Sequence, residues 1–162
     1  MALDLTVQVA CDAPGLPGQA ELERWIAAVL EGRRDRAAMT VRIVGESESR
    51  ELNRVWRRRD RPANVLAFRA GPPADLPPRW RASALGDLVV CAPIVAREAA
   101  EQDKPAAAHW AHLVVHGTLH LLGYDHTEQN EASVMEALEG EILARLGYCD
   151  PYGDAHDGSH AR

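Results

Sequence analysis

Three histidines in one short stretch have the residue type and spacing that could hold a metal ion. His116 and His120 are four residues apart, which places both imidazoles on one face of a helix, one turn apart. Gly123 can adopt the left-handed conformation that ends a helix, and the turn can return His126 to the same point. Three neutral imidazoles suit zinc and leave a tetrahedral position open for water, as in catalytic sites. The spacing therefore predicts one zinc ion held by His116, His120 and His126.

The same spacing occurs in the HExxHxxGxxH motif of metzincin peptidases, with one large departure. The position of their catalytic glutamate is Gly117, which has no side chain. Those peptidases need that carboxylate to take a proton from the metal-bound water and pass it to the leaving amine. A metal ion still lowers the pKa of its water to about 7, so a hydroxide nucleophile does not require this base. The departure disfavours peptide hydrolysis.

Other polar residues near the motif have more than one interpretation. His109 and His112 precede His116 on the same helical face, and His109 is interpreted as a packing histidine. His112 is either a packing residue, a partner of a metal ligand or a proton carrier, and the sequence leaves these open. Asp125 either accepts an N–H from a ligand imidazole or caps the turn.

A cluster of arginines lies in the first half of the chain. From residue 50 to residue 61 six arginines stand against two acidic residues, a local charge of +4 in a chain of net charge −6. The spacing predicts that five of them share one helix face: Arg50, Arg54, Arg57, Arg58 and Arg61. A solvated helix face is the ordinary interpretation, but guanidinium groups also bind phosphate oxygens bidentately. An arginine and a metal ion can together stabilise the charge that develops during phosphodiester cleavage.

Hydrophobic periodicity predicts the elements that must position these residues. The expected strands are near 3–9, 41–44, 64–68 and 85–91, and the expected helices near 22–30, 47–61, 93–102, 105–123 and 130–146. Strands and helices that do not alternate strictly predict an α+β fold, a small mixed four-stranded sheet packed with about five helices. One of these is the metzincin-like histidine helix. We expect one domain over residues 1–152, an exposed proline-rich loop over 71–80, and a disordered tail over 153–162.

Composition is that of an ordinary globular protein. Of 162 residues, 46% are apolar and 26% are charged. The sequence contains no apolar run of membrane-spanning length, and its first residues lack the pattern of a secretory signal, so we expect a cytoplasmic location and no membrane partner. Cys11, Cys91 and Cys149 are odd in number and widely spaced, which favours reduced thiols.

Several separate segments match one known family. They are Thr40–Val44 followed by Leu52–Asn53, then Trp56–Pro62, Asn64–Phe68, Leu85–Val90, the histidine motif and Leu146–Tyr152. On these segments the chain closely resembles the YbeY family of bacterial ribosomal-RNA maturation factors, which are single-strand-specific, zinc-dependent endoribonucleases. The resemblance runs from about Leu5 to Tyr152.

The resemblance implies roles for particular residues. His116, His120 and His126 match the metal ligands, and Arg57 matches an arginine implicated in catalysis or RNA contact. The neighbouring arginines are candidate RNA-binding residues: Arg50, Arg54, Arg58, Arg59 and Arg61. Trp56 and Arg59 stand where a tyrosine and a lysine are usual, and Ala63 and Ala67 replace common hydroxyl residues. These departures affect substrate positioning rather than the metal ligands.

The resemblance also implies a biological role and partners. The expected activity is maturation of the 3′ end of the small-subunit (16S) ribosomal RNA, together with ribosome quality control. The expected partners are ribosomal RNA and the small ribosomal subunit, with ribosomal proteins or a ribosome-associated GTPase as further candidates. Two alternatives stay open: a metzincin-type zinc peptidase, and a ribosome-associated protein that binds zinc without catalysis.

Overall fold

A computed structural model describes residues 2–70, 84–124, 129–149 and 151. In chain order its elements are β1 (Ala2–Ala10), α1 (Gln19–Leu30), β2 (Arg36–Val44), α2 (Glu46–Arg57), β3 (Val65–Arg69), β4 (Ala84–Cys91), α3 (Ala92–Glu101), α4 (Ala106–Leu121) and α5 (Gln129–Arg145). The predicted loop over 71–80, the ligand His126 with Asp125, and the predicted tail over 153–162 lie outside the described residues. No helix within the described ranges combines the length and the apolar character that crossing a membrane requires.

The four strands form one mixed sheet in the order β1-β2-β4-β3. Strand β2 pairs in parallel with both β1 and β4, whereas β3 pairs with β4 in the antiparallel direction. Among the described residues, β3 is therefore an edge strand, with one side paired to β4. The mixed four-stranded sheet and the five helices confirm the predicted α+β fold.

A β-bulge and a glycine shape the start of β4. The partner of Ala38 is Ala84, but the partner of Met39 is Gly86, so β4 contains one extra residue here, Leu85. Gly86 has a φ of 133°, and the carbonyl oxygen of Phe68 on β3 lies only 2.0 Å from the position that a Cβ atom would take. Only glycine combines this backbone conformation with such a close approach.

Alternating residues of the strands build a core on each face of the sheet. On β4, Leu88 and Val90 belong to the larger core, which packs against α1, α4 and α5. Val89 and Cys91 point the other way, into a smaller core with Leu52 of α2. The histidine helix α4 and the arginine-bearing helix α2 consequently lie on opposite faces of the sheet.

Helix α2 ends earlier than the sequence predicts, which corrects the predicted arginine face. The expectation was a helix that continues towards Pro62, but Arg58 adopts φ 58° and ψ 36° and ends it at Arg57. The buried Asn53 side chain then donates to the Arg61 carbonyl oxygen over 2.8 Å and folds the following segment back onto the helix. Arg50, Arg54 and Arg57 are helical, whereas Arg58, Arg59 and Arg61 follow the helix in an exposed segment.

Two smaller differences concern the other elements. Strand β2 begins at Arg36, five residues before the predicted strand, because its pairing with β1 runs from the first residues of both strands. The helical spacing of Val134, Met135 and Ile142 predicts that they share one buried face of the last helix, but Val134 is 54% exposed, whereas Met135 and Ile142 are buried. The polar residue that takes part in this buried face is Glu139.

Candidate active site

The two described histidines of the motif lie side by side near the end of α4. The ring centroids of His116 and His120 are 4.7 Å apart, and both residues are half-buried. His126 is not among the described residues, and within the described ranges no three side chains form a possible metal-binding group. The structure therefore brings two of the predicted ligands together and leaves the third untested.

The turn after α4 follows the predicted path away from the helix. Gly123 has a φ of 107°. Its N–H donates to the carbonyl oxygen of His120, and the N–H of Tyr124 donates to the carbonyl oxygen of Leu119. This pattern of bonds is the Schellman motif, which reverses the chain at a helix end. Arg69 of β3 also donates to the His120 carbonyl oxygen over 3.2 Å, which ties the edge strand to the same helix end.

A buried glutamate contacts two histidines of α4, and the sequence reading missed it. Glu139 of α5 is 1% exposed. Its Oε1 lies 2.9 Å from Nε2 of His112, and its Oε2 lies 3.2 Å from Nδ1 of His116. Burial raises the pKa of this carboxyl group, but the hydrogen bonds and charges of His112 and His116 outweigh burial and lower the pKa to about 2. The available signal was a charged residue between Met135 and Ile142 on an apolar helix face.

A second buried histidine has a separate carboxylate partner. His109 is 3% exposed, and its Nε2 lies 2.8 Å from Oε1 of Glu98, which also accepts from the Asn64 side chain over 3.1 Å. Burial lowers the pKa of His109, and the hydrogen bond that its ring donates to Glu98 opposes this effect. These contacts agree with the interpretation of His109 as a packing histidine.

Gly117, which stands at the position of the metzincin glutamate, packs directly on the sheet. A Cβ atom added there would lie 2.7 Å from Cδ2 of Leu88 and 3.4 Å from Cγ2 of Val65. Leu88 is fully buried, so little space is available for a longer side chain. The missing carboxylate is thus part of the close contact between α4 and the sheet, and a glutamate would point into the core.

The arginines differ in what their side chains contact. Arg50 forms a bidentate pair with Asp60, with distances of 2.7 and 3.0 Å, and Arg54 pairs with Glu51. In these exposed ion pairs, acidic residues of the same segment neutralise part of its positive charge. Of the five proposed RNA-binding arginines, Arg50 and Arg54 therefore have guanidinium groups that are already paired with carboxylates.

Arg57 reaches the edge strand that also contacts the histidine helix. Its Nη2 donates to the carbonyl oxygen of Ala67 over 2.6 Å, and its guanidinium carbon lies 5.1 Å from the centre of the Phe68 ring. Ala67 is two residues from Arg69, the residue that contacts His120, a separation of about 7 Å along a strand. One short strand therefore holds both Arg57 and the end of α4.

Two further arginines lie beside the helix end, and the sequence reading did not single them out. Arg33 and Arg34 line a shallow recess of about 390 Å³ together with Leu122, Gly123 and Tyr124. Both belong to the turn before β2. They lie there because they directly follow α1, which packs against α4, and the spacing of residues alone does not reveal this tertiary contact.

The described part of the site thus contains two adjacent histidines, a buried carboxylate that contacts one of them, and the anchored guanidinium group of Arg57. Comparison with known proteins specifies the class. Residues 16–147 match the family model described as endoribonuclease YbeY. The chain belongs to this family of endoribonucleases.

Individual relatives support the assignment. The chain is 53% identical over 154 residues to the endoribonuclease YbeY of Xanthomonas axonopodis pv. citri (strain 306), covering 95% of this chain and 96% of the relative. It is 49% identical over 152 residues to the endoribonuclease YbeY of Cellvibrio japonicus (strain Ueda107), covering 93% and 84%. Among solved structures, that of TM1509 from Thermotoga maritima matches with a TM-score of 0.58 and 24% identity, covering 95% of this chain and 94% of that one. This last similarity concerns the fold.

Proposed function

We propose that this protein is a single-strand-specific, metal-dependent endoribonuclease that matures the 3′ end of the small-subunit (16S) ribosomal RNA and takes part in ribosome quality control. Family membership supports action on RNA. The observation that carries the metal requirement is the pairing of His116 with His120 on one helix face, with the Nδ1 atom of His116 bound to Glu139. The proposed partners are ribosomal RNA, the small subunit, its proteins and a ribosome-associated GTPase, in the cytoplasm.

The donor set fits a zinc ion. An imidazole that donates through Nδ1 presents its lone pair at Nε2, the form in which histidine binds metals, and His116 has this arrangement. His120 lies one turn further along, and His126 is the proposed third ligand. A divalent ion held there would acidify either a water molecule or a ribose 2′-hydroxyl and would place positive charge beside the scissile phosphate. The three histidines would hold this ion.

Arg57 is the proposed catalytic residue. Its guanidinium group is anchored to the Ala67 carbonyl oxygen and to the Phe68 ring, so little side-chain freedom is left to lose when RNA binds. A guanidinium that already has its orientation can stabilise the non-bridging phosphate oxygens in the transition state. Arg58, Arg59 and Arg61 follow it on the surface and are proposed to contact the RNA backbone.

The two alternatives make different predictions. A peptidase of the metzincin type requires a carboxylate where Gly117 packs against Leu88, and this packing counts against it. A protein in which zinc is only structural predicts that Arg57→Ala still restores ribosomal-RNA processing in cells that lack the protein. We expect that variant to fold and bind metal but not to restore processing.

Cleavage assays test the activity directly. Metal-loaded wild type should cut single-stranded RNA, leave a duplex of the same sequence intact and leave casein intact, and a chelator should remove the activity. Arg57→Ala should reduce cleavage about 10²–10³-fold, because the transition state loses one charged donor. Arg24→Ala is the matched control, since Arg24 lies on α1, on the other face of the sheet from Arg57, and its guanidinium group donates to Leu146 and Tyr148 rather than to β3. It should retain wild-type activity.

The products identify the nucleophile. A 2′,3′-cyclic phosphate would show attack by the ribose 2′-hydroxyl, and a 5′-phosphate on the downstream fragment would show attack by water. Casein hydrolysis that disappears in His120→Ala would instead favour the peptidase. Undiminished RNA cleavage by Arg57→Ala would contradict the role given to that residue.

A further inference from the structure

Glu139 is an unusual residue for its position. It lies on the core-facing side of α5 between Met135 and Ile142, and all three side chains are buried. A buried carboxylate is costly unless hydrogen bonds replace its lost water. Here each of its two oxygens has a histidine partner from α4, as the distances to His112 and His116 show. A carboxylate thus occupies a core position where an apolar residue would pack without the cost of losing bound water.

The contact with His116 determines how that imidazole can act. A carboxylate accepts hydrogen bonds, so the Nδ1 atom of His116 that faces Oε2 of Glu139 is the nitrogen that carries the proton. The lone pair of the neutral ring is then on Nε2. The bond also fixes the rotation of the ring, because Nδ1 must stay directed at a carboxylate held by another helix.

The contact with His112 holds the carboxylate in turn. Nε2 of His112 lies 2.9 Å from Oε1 of Glu139, one helix turn before His116 on the same face of α4. With one histidine on each oxygen, the carboxylate plane has a defined orientation. Of the three interpretations of His112, this contact favours a partner of a metal ligand, because its Nε2 atom is directed at the carboxylate that contacts His116.

We infer that Glu139 is a positioning residue, which orients His116 for metal binding and is itself held in place by His112. The inference rests on the proposed metal-dependent function. Residues that orient metal-bound histidines in this way commonly change metal affinity about 10–100-fold when they are removed. Glu139→Gln is the sharpest variant, because it retains the shape of the side chain and removes one of its two acceptors.

Metal affinity provides a readout that is independent of RNA cleavage. The zinc affinity of metal-free wild type, Glu139→Gln and Glu98→Gln would be measured by competition with a chromophoric chelator. Glu98→Gln is the matched control, because Glu98 makes the same kind of bond to His109 on the same helix, away from the proposed ligands. We expect Glu139→Gln to bind zinc about 10–100-fold more weakly and Glu98→Gln to bind it as wild type does.

The outcomes separate this inference from the proposed function. Wild type that binds no zinc would overturn both. Wild type that binds zinc with the same affinity as Glu139→Gln would overturn only the role of Glu139. Equal weakening in both glutamine variants would also overturn it, since that result would reflect a general loss of packing.

A measurement on unmodified protein covers the case in which Glu139→Gln does not fold. Long-range ¹H–¹⁵N spectra of metal-free wild type distinguish the two tautomers of each histidine. We expect His116 to carry its proton on Nδ1. A proton on Nε2 would overturn the inference.

Discussion

At the scale of single residues, Gly117 separates this chain most clearly from a peptidase. The distance of 2.7 Å between an added Cβ and Cδ2 of Leu88 can be relieved by a small movement of the leucine, so Gly117→Ala should be tolerated. Gly117→Glu would instead place a carboxylate against the buried sheet. We expect it to reduce the free energy of unfolding by about 3 kcal/mol or more.

Urea denaturation of both variants, together with a casein assay, tests this prediction. Gly117→Ala controls for the loss of glycine and should remain within about 1–2 kcal/mol of wild type, because the gain in helix propensity offsets part of the strain. A stable Gly117→Glu variant that hydrolyses casein would contradict our account of the site.

Residue spacing predicts some side-chain contacts of the site and not others. The pairing of His116 with His120 follows from helical periodicity alone, and the structure confirms that their rings are adjacent. Glu139 is 23 residues from His116 in sequence, and only the packing of α5 on α4 brings the two together. Local periodicity contains no information about such a contact, although a charged residue on an apolar face indicates that a partner exists.

At the scale of elements, the start of β4 depends on Gly86. Its φ of 133° and the close approach of the Phe68 carbonyl oxygen leave no room for a Cβ atom. Gly86→Ala should therefore destabilise the protein by about 2–4 kcal/mol and weaken the pairing of β3 with β4. Gly45→Ala is the control, because Gly45 has nothing within 4 Å of its Cβ position.

Thermal unfolding of the two glycine variants measures this difference. Gly45→Ala should change the free energy of unfolding by less than about 1 kcal/mol. If Gly86→Ala were as stable as Gly45→Ala, the bulge would not require glycine at that position. RNA cleavage by Gly86→Ala should also decrease, because β3 holds both Arg57 and the end of α4.

Element types were predictable and some boundaries were not. Hydrophobic periodicity identified the strands and helices, and Gly123, the predicted helix-ending glycine after α4, has a positive φ. The predicted end of α2 was wrong because Arg58, a residue without a strong turn preference, adopts the left-handed conformation and ends the helix. Side-chain bonds from Asn53 and Ser49 to the segment that follows support this turn, and they depend on tertiary structure.

At the scale of the whole molecule, the charge distribution determines how RNA can bind. The chain has a net charge of −6, so attraction to RNA must come from local arginine clusters. Each arginine that neutralises a phosphate of a single strand contributes about −0.7 to the slope of log K against log salt concentration. Replacing Arg58, Arg59 and Arg61 with alanine should therefore flatten the slope by up to about 2.

Fluorescence anisotropy with a labelled single-stranded RNA at several salt concentrations measures this slope. Arg24→Ala, on the opposite face of the sheet from α2, should leave it unchanged. An unchanged slope after the triple replacement would place the RNA elsewhere, for example at the recess beside Arg33 and Arg34.

If His116, His120 and His126 together hold a catalytic divalent ion, as we propose, the metal content of the protein depends on all three. Elemental analysis after dialysis should find about one divalent ion per chain in wild type. Alanine replacement of any of the three should abolish stoichiometric binding, whereas His156→Ala, which lies outside the motif, should retain the ion. Folded wild type without metal, or stoichiometric metal in all three alanine variants, would contradict the account.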